Sequence, residues 1–465
     1  MSSPSERDRA LASMTDFQPG RKRGPSPSAA SPPPKRLEQA QQSSPTPAAP
    51  TSGLRWLKSI GPGKTLLHAV WGHPQASSKV AAFDLDHTLI RPLNGEVFCD
   101  DGKSWEFWRE STPHEDREAP ETNEVVLKLH QLYEQGFAIV IFTSQAHENK
   151  AWLSGFKDRV ANIADQLQTP LRVYCARSFD IYRKPVHGAW LEFERNWNGG
   201  LKIDLSQSFY VGDAAGKGTS KNDYDRKFAH NIGVPFHTPD EFFLNKPVDE
   251  KWSYKGWRAA RLDQAAPLFM PTSTPLIPQQ LREFDPVVPD AILLVGAPAC
   301  GKSTFAAKYF VQRRYIVISR KEAADAASDI TRHLSTNAKQ PPSFIVDMSL
   351  PKQSSRSIII RAIRQASPTH RIRVFVFEAS EQLAKHNNVY SVLFGGGGSE
   401  REFTTETLYR DWYFCYEEPK KEKEGFDELK RISFKFDDSG PDGKERFKRW
   451  KLFLDCFPRE VTRGS

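Results

Sequence analysis

Two aspartates one residue apart, Asp84 and Asp86, close the apolar run Val80-Ala81-Ala82-Phe83 and are followed by His87-Thr88-Leu89. An apolar run of this kind reads as a buried strand. Carboxylates at its carboxyl end stand where open α/β sheets bind ligands. Alternate strand residues point to one side, so Asp84 and Asp86 can converge on one site. Such a pair can hold Mg²⁺ while one carboxylate attacks phosphorus and the other handles a proton. Asp84 is the candidate nucleophile, and Asp86 would protonate the leaving alcohol and then activate water. Further along, Thr143 and Ser144 end the run Phe137–Phe142 and can hydrogen-bond phosphoryl oxygens. Lys184, in Tyr182-Arg183-Lys184-Pro185, can balance the negative charge of nucleophile and phosphate. Gly212-Asp213 follows Phe209-Tyr210-Val211, so Asp213 joins Asp84 and Asp86 as a candidate Mg²⁺ ligand. Asp225 is placed to support that metal or a nearby cation. Ser144, Arg183, Lys217 and Arg226 are candidate phosphate- or substrate-binding groups. The basic residues Lys217, Lys221, Arg226 and Lys227 suit a phosphate backbone, and Trp105, Phe107 and Trp108 suit stacking on terminal bases.

A second chemistry comes after Ala291–Val295. Gly296-Ala297-Pro298-Ala299-Cys300-Gly301-Lys302-Ser303 is a Walker A loop between an apolar strand and the helical stretch Thr304–Val311. Backbone N–H groups would cradle the phosphates of ATP, with Gly296 and Gly301 shaping the loop. Lys302 would reach the β and γ oxygens, and Ser303, with Thr304 beside it, would meet Mg²⁺.

The elements that must position these residues alternate. Val80–Phe83, Phe137–Phe142, Leu171–Cys175 and Ser208–Val211 read as strands, and Glu124–Tyr133 as a helix with Val125, Val126, Leu129 and Leu132 on its apolar face. Ala291–Val295, Tyr315–Ile318, Phe344–Val346 and Arg373–Phe377 form a second strand series. Strands alternating with helices predict two α/β domains, each a doubly wound parallel sheet. The predicted organisation is a basic Ser/Pro-rich tail without structure over 1–53, a first domain over 54–246, a linker over 247–289 and a second domain over 290–465.

The 465 residues carry a net charge of +8, which favours an anionic partner such as nucleic acid. The tail cannot bury enough apolar surface to fold. Its Arg21-Lys22-Arg23 and Lys35-Arg36 are spaced like a bipartite nuclear import signal, so the expected location is the nucleus. No apolar run approaches the roughly 20 residues that span a bilayer, and no membrane partner is expected. Five scattered cysteines without a CxxC pair argue against a disulfide framework or a zinc site.

The Asp84-Leu85-Asp86-His87-Thr88 stretch resembles the first motif of the haloacid-dehalogenase superfamily of aspartyl phosphotransferases. The likeness is closer to the polynucleotide kinase 3′-phosphatases. It is carried by Tyr182–Val186 with Gly188 and Trp190, by Phe209–Lys217, and by Asp225–Phe236 with Thr238–Leu244. That resemblance spans about Leu54–Leu244 and implies a haloacid-dehalogenase-like, Mg²⁺-dependent phosphatase that removes 3′-phosphates from DNA ends. Asp84, Asp86, Thr143, Lys184 and Asp213 would take the roles given above. His87 stands where many members carry Gly. From Ala291 onward the chain resembles the P-loop 5′-kinase half of the same family, with Asp347 at the next acidic strand end and His386-Asn387-Asn388 in its helix motif. There the match is looser. Members carry Arg-Asp after the second strand, the Asp being the base for the 5′-hydroxyl; here the stretch is Ser319-Arg320-Lys321-Glu322. A lysine ammonium cannot accept that proton, and a lost base typically costs ~10²–10⁴ in rate. Met348–Lys352 departs from the family's polar run, Val389 replaces an Arg, and Gly395–Gly398 interrupts the lid region. Arg320, Glu322 and Asp347 are the remaining candidate kinase-site residues.

Three readings compete. The first is a nuclear DNA-repair enzyme that removes 3′-phosphate at nicks, gaps and double-strand breaks, with an attached ATP-binding kinase-like domain of faded activity. The second is a fully bifunctional enzyme that also phosphorylates 5′-hydroxyls. The third is a DNA-end-binding adaptor that turns over neither site. A small-molecule phosphatase fits less well with the basic clusters. The intact aspartate and lysine set opposes the adaptor, and the missing base favours the first reading over the second. The chain is expected to act as a monomer and to meet DNA-repair proteins. Larger relatives carry a phosphothreonine-reading domain ahead of the phosphatase that is not recognisable here.

Overall fold

Apolar runs that end in acid or glycine become the central strands of two sheets. The computed structural model describes residues 53–93, 104–108, 123–145, 149–217, 222–277, 288–395 and 403–455, all within one unit, Pro50–Ser465. The tail with its basic clusters, Lys221 and Gly396–Gly398 lie outside the described residues.

The first sheet contains β1 (Leu54–Trp56), β2 (Leu66–Trp71), β3 (Val80–Phe83), β6 (Ala138–Ser144), β7 (Leu171–Ala176), β8 (Phe209–Val211) and β9 (Phe236–His237). A separate hairpin joins β4 (Ile90–Pro92) to β5 (Trp105–Phe107). The strand order is β1-β2-β7-β6-β3-β8-β9. The five strands from β7 to β9 are parallel, and β2 and β1 add an antiparallel edge. β3 is therefore central, flanked by β6 and β8. Its residues alternate between two cores. Ala81 and Phe83 face the helices Glu124–Glu134 and Lys150–Leu167, while Val80 and Ala82 face Trp190, Phe193 and Phe228 on the other side. Burial on both faces explains why these strands read as continuous apolar runs. The aromatics offered as base-stacking groups belong to this packing. Trp105 is buried in the first core, and Phe107 and Trp108 lie against it.

The second sheet contains β10 (Phe269–Met270), β11 (Asp290–Val295), β12 (Ile316–Ile318), β13 (Phe344–Asp347), β14 (Arg371–Glu378) and β15 (Glu428–Ser433), in the order β10-β15-β14-β11-β13-β12. All neighbours are parallel except β10 with β15. Ala291, Leu293 and Val295 face one core, and Ile292 and Leu294 the other.

The expected linker, 247–289, is only partly a connection. Phe269–Met270 extends the second sheet as β10, and Trp257, Ala259 and Leu262 pack around Trp450. The buried Lys430 ammonium donates to the Pro271 and Thr274 carbonyls at 3.2 and 2.8 Å and to Thr274 Oγ1 at 2.7 Å. The fully buried Arg373 donates to Leu276 O at 2.8 Å and through Nε to Asp290 Oδ1 at 2.9 Å, and its Nη2 also meets Asp290. Prolines and scattered polar residues masked this order, because its partners are side chains distant in sequence. Arg373→Met leaves the Asp290 carboxylate buried without its cation. The expected loss is about 3–5 kcal/mol of unfolding free energy, read by urea denaturation; a loss below about 1 kcal/mol would show that the pair is dispensable.

Candidate active site

β3, β6 and β8 end side by side, which brings three regions of sequence to one edge. Asp84 leaves β3, with its N–H donating to Val211 O of β8 at 2.9 Å. Thr143 and Ser144 end β6, and Gly212-Asp213 follows β8. The helix Tyr224–Ile232 returns over this edge and places Asp225 in its first turn. Carboxylate oxygens of Asp84, Asp213 and Asp225 lie within 4.8 Å of one another. Asp84 and Asp225 are buried, and Asp213 is open to solvent.

Lys184 holds this cluster together. Its ammonium donates to Asp84 Oδ1 at 2.5 Å, to Asp225 Oδ1 at 2.7 Å and to the Tyr210 hydroxyl at 3.1 Å. Tyr210 in turn donates to Asp225 Oδ1 at 3.0 Å, and Ala214 N donates to Asp225 Oδ2 at 3.0 Å. Burial by itself would lower the lysine pKa; Asp225 and Asp84 outweigh it, and the pKa is raised. The ammonium is therefore charged at all physiological pH. Burial pushes Asp84 well above the usual carboxylate range. Lys184 pulls it down, while Asp225 and Asp213 push it further up. Desolvation, then the Asp225 charge, pushes Asp213 up to about 6.

Two of the three carboxylates thus pair with one ammonium, and Asp213 stands beside them in a partly dry site. Three convergent carboxylate oxygens are a hard donor set that fits Mg²⁺. The expected ligand set was Asp84, Asp86 and Asp213, with Asp225 in a supporting place. The Asp86 carboxylate instead meets Gln145 Nε2, which also donates to Thr143 Oγ1 at 3.0 Å. Thr143 is buried beneath this contact. Thr88 Oγ1 accepts from Asp213 N at 3.1 Å, so the threonine of the first motif orients the third carboxylate. His87 has φ +59°, a left-handed conformation, which gives the Gly preference at this position a backbone reason. Ser144 Oγ accepts from the Lys184 backbone N–H at 3.3 Å and so steadies the lysine loop.

Three expected substrate groups are placed differently. The Arg226 guanidinium lies between Phe236 and Trp252, 4.4 and 4.1 Å from their ring centroids, and its Nε donates to Ala215 O at 2.8 Å. Lys217 pairs with Glu241 at 3.3 Å and Asp249 at 3.8 Å. Arg183 stacks over the Phe179 ring at 4.5 Å. Lys227, from the same basic cluster, is fully buried between Asp223 and Asp455, at 3.4 and 3.2 Å. Linear clustering of charge on the helix misled because the helix is buried on several sides. Tyr210 and Gln145 were missed: a tyrosine inside a strand reads as core, and a lone glutamine carries no motif.

The second sheet presents the opposite charge. Gly301, at φ +102°, turns the loop into the helix Lys302–Tyr309, on which Ser303 and Thr304 are exposed. Lys302 Nζ donates to Gly296 O and Ala297 O, each at 2.8 Å. Gly296 is required by space, since a Cβ there would lie 2.6 Å from Cys300 Sγ and 2.9 Å from Phe377 Cβ. Asp347 ends β13 in register with Leu294 of β11, one strand from the loop. Arg320 pairs with Asp329 at 2.5 Å. Lys321 and Glu322 are exposed at the start of the helix Ala323–Thr336, and Glu322 makes no side-chain cap. His386 and Asn387 bind Trp450, the first through its carbonyl at 2.7 Å and the second through its indole N–H at 2.8 Å. Asn388 bonds Thr404 with both ends of its amide.

Gly212 is where the first cluster is most sensitive to substitution. A Cβ there would stand 2.5 Å from Asp225 Cγ. Gly212→Ala must push Asp225 off Lys184, and the expected result is a loss of about 10–100-fold in Mg²⁺ affinity by calorimetric titration, with a cooperative thermal transition retained. Unchanged affinity would remove Asp225 from the cation site.

The model of the polynucleotide kinase 3 phosphatase family matches residues 79–243, which include every residue of the first cluster. A bifunctional polynucleotide phosphatase/kinase of Schizosaccharomyces pombe is 30% identical over 377 residues, 80% of this chain and 83% of that one. A polynucleotide 3′-phosphatase of Arabidopsis thaliana is 32% identical over 184 residues, 36% of this chain and 24% of its own. A polynucleotide 3′-phosphatase of Saccharomyces cerevisiae is 24% identical over 221 residues, 37% of this chain and 90% of its own. With likeness to the fission-yeast protein running through both sheets, the chain belongs to the bifunctional polynucleotide phosphatase/kinase family.

Proposed function

We propose that the first sheet carries a Mg²⁺-dependent phosphatase that removes 3′-phosphates from DNA ends at strand breaks, through an aspartyl-phosphate on Asp84. The observation that carries this reading is the Lys184 ammonium bridging Asp84 and Asp225, with Asp213 within reach. Asp84, Asp213 and Asp225 would hold the metal, whose chemistry is to neutralise negative charge on the phosphoryl group and the carboxylates. Asp84 Oδ attacks phosphorus. The P–O bond to the sugar breaks, and Asp86 gives its proton to the departing oxygen. Asp86 then takes a proton from water, whose oxygen attacks the phosphorus and frees Asp84. Gln145 keeps Asp86 at this position, and Lys184 offsets the charge on the nucleophile and the phosphoryl oxygens. The polynucleotide as substrate class rests on the family, since Arg226, Lys217 and the three aromatics serve the fold. The basic tail clusters are proposed as a nuclear import signal. On a nicked duplex bearing a 3′-phosphate, the protein is expected to release phosphate only with Mg²⁺, and Asp84→Asn to lower the rate by at least about 10³-fold. Phosphate release by Asp84→Asn at an undiminished rate would sink the proposed intermediate.

The Walker A loop favours a second activity, ATP binding, which Lys302→Ala is expected to weaken at least tenfold. Transfer to a 5′-hydroxyl needs a base after β12, and the exposed Lys321 and Glu322 do not supply one held in place. Label transfer from ATP to a 5′-hydroxyl end is accordingly expected to be slow, and Lys321→Asp to speed it by ~10²-fold or more. Rapid transfer by the unaltered chain, with no gain in Lys321→Asp, would establish a different base.

A further inference from the structure

The helix Tyr224–Ile232 grips the active site with one end and the carboxyl-terminal segment with the other. Asp225, in its first turn, binds the Lys184 ammonium. Asn231, near its last residue, is buried and makes three amide hydrogen bonds. Its Nδ2 donates to Pro185 O at 2.8 Å and to Phe453 O at 2.6 Å, and its Oδ1 accepts from Phe453 N at 2.8 Å. Pro185 is the residue after the lysine. One side chain therefore joins the backbone of the Lys184 loop to the backbone at Phe453, 222 residues away.

Other contacts converge on the same segment. Lys227, one turn earlier on the helix, donates to Lys255 O at 2.8 Å and to Asp455 Oδ2 at 3.2 Å. The Phe453 ring lies against Tyr254 and His230, at centroid distances of 4.5 and 5.2 Å. Val186, the next residue of the lysine loop, is fully buried with Val389 and Leu454. Val389 thus makes an apolar contact between the kinase-like half and the lysine loop.

We infer that the segment Leu452–Asp455 is a strap that positions Lys184 for phosphate transfer, with Asn231 as its positioning residue. The ammonium is fixed from one side by Asp84, Asp225 and Tyr210. The loop backbone that delivers it is fixed from the other by Ser144, Asn231 and the Val186–Leu454 packing. Releasing the second set leaves the lysine charged and near its partners, yet free to shift relative to phosphorus. A misplacement of about 1 Å can cost ~10²-fold in rate. Phosphatase turnover thus depends on the end of the kinase-like half.

This inference rests on the phosphatase reading, and the assay keeps the two apart. Phosphate release from a nicked 3′-phosphate duplex is measured for the full chain, for Asn231→Ala and for a chain ending at Lys451. The expected result is a fall in kcat of about tenfold or more in both variants, with KM within about twofold, and partial recovery of the shortened chain on adding a peptide of residues 452–465. An inert full chain sinks the phosphatase reading itself. An active full chain with equally active variants overturns the strap. A lowered melting temperature at unchanged kcat also overturns it, because Asn231 then serves folding alone. Should the shortened chain not fold, Asn231→Ala decides between these outcomes.

Discussion

One ammonium among three carboxylates is the constraint around which the first half is built. Asp84, Asp213 and Asp225 converge within 4.8 Å, and at such distances two like charges repel by about 4 kcal/mol at an effective dielectric of 20. Lys184 offsets part of this through two close ion pairs, Tyr210 donates to the same Asp225 oxygen as the lysine, and the Ala214 N–H satisfies the other. The remainder is a local excess of negative charge that a divalent cation and a phosphoryl group would rearrange together. The cluster therefore fixes several distant choices. β8 must be followed by a glycine so that Asp225 can approach, and the lysine loop must lie beside Ser144. The helix Tyr224–Ile232 must be buried enough to hold a carboxylate at its start.

The sequence made the strand ends legible because each is an abrupt switch from apolar to acidic or hydroxyl residues. Asp84, Thr143 and Asp213 stand at three such switches, on neighbouring parallel strands. Lys184 was legible only through its surrounding motif. The residues that stayed hidden have a common physical form. Tyr210, Gln145 and Asn231 act through side-chain hydrogen bonds to residues distant along the chain (Asp225, Asp86 and Phe453 among them), and nothing in their neighbours announces those partners. Arg226 and Lys227 show the converse error. A basic run invites a phosphate backbone, yet here guanidinium and ammonium are consumed by aromatic faces and buried aspartates. The strands at or next to the sheet edges, β1, β2, β9, β10 and β15, also went unread, being short or interrupted by polar residues such as His68 and Lys430.

The two halves use the same geometry with opposite sign. In both, a parallel strand at the sheet centre delivers its chemistry at its carboxyl end. The first sheet delivers carboxylates, which need a cation. The second delivers a glycine loop, a helix start and Lys302, which need an anion. On the proposed reading, a nucleotide and a phosphate ester would be received at the carboxyl ends of the two sheets by complementary means. The halves differ in their proton acceptors. The first edge has an acid, Asp86, held by Gln145, whereas the corresponding position beyond β12 is an exposed lysine. On the proposed reading, proton transfer has a held acceptor in the first sheet and none held after β12.

Contacts between the halves argue that the second sheet has more than one use. Val389 and Leu454 are buried against Val186, and Phe453 is clasped by Asn231 through both its backbone groups. Burying an amide is favourable only if its hydrogen-bonding groups are matched, and Asn231 is matched only when the lysine loop and the carboxyl-terminal segment are both in place. Loss of either leaves buried polar groups unpaired, so the two must order together. The kinase-like half therefore contributes order to the lysine loop through Val389 and Phe453–Leu454, whatever its own turnover.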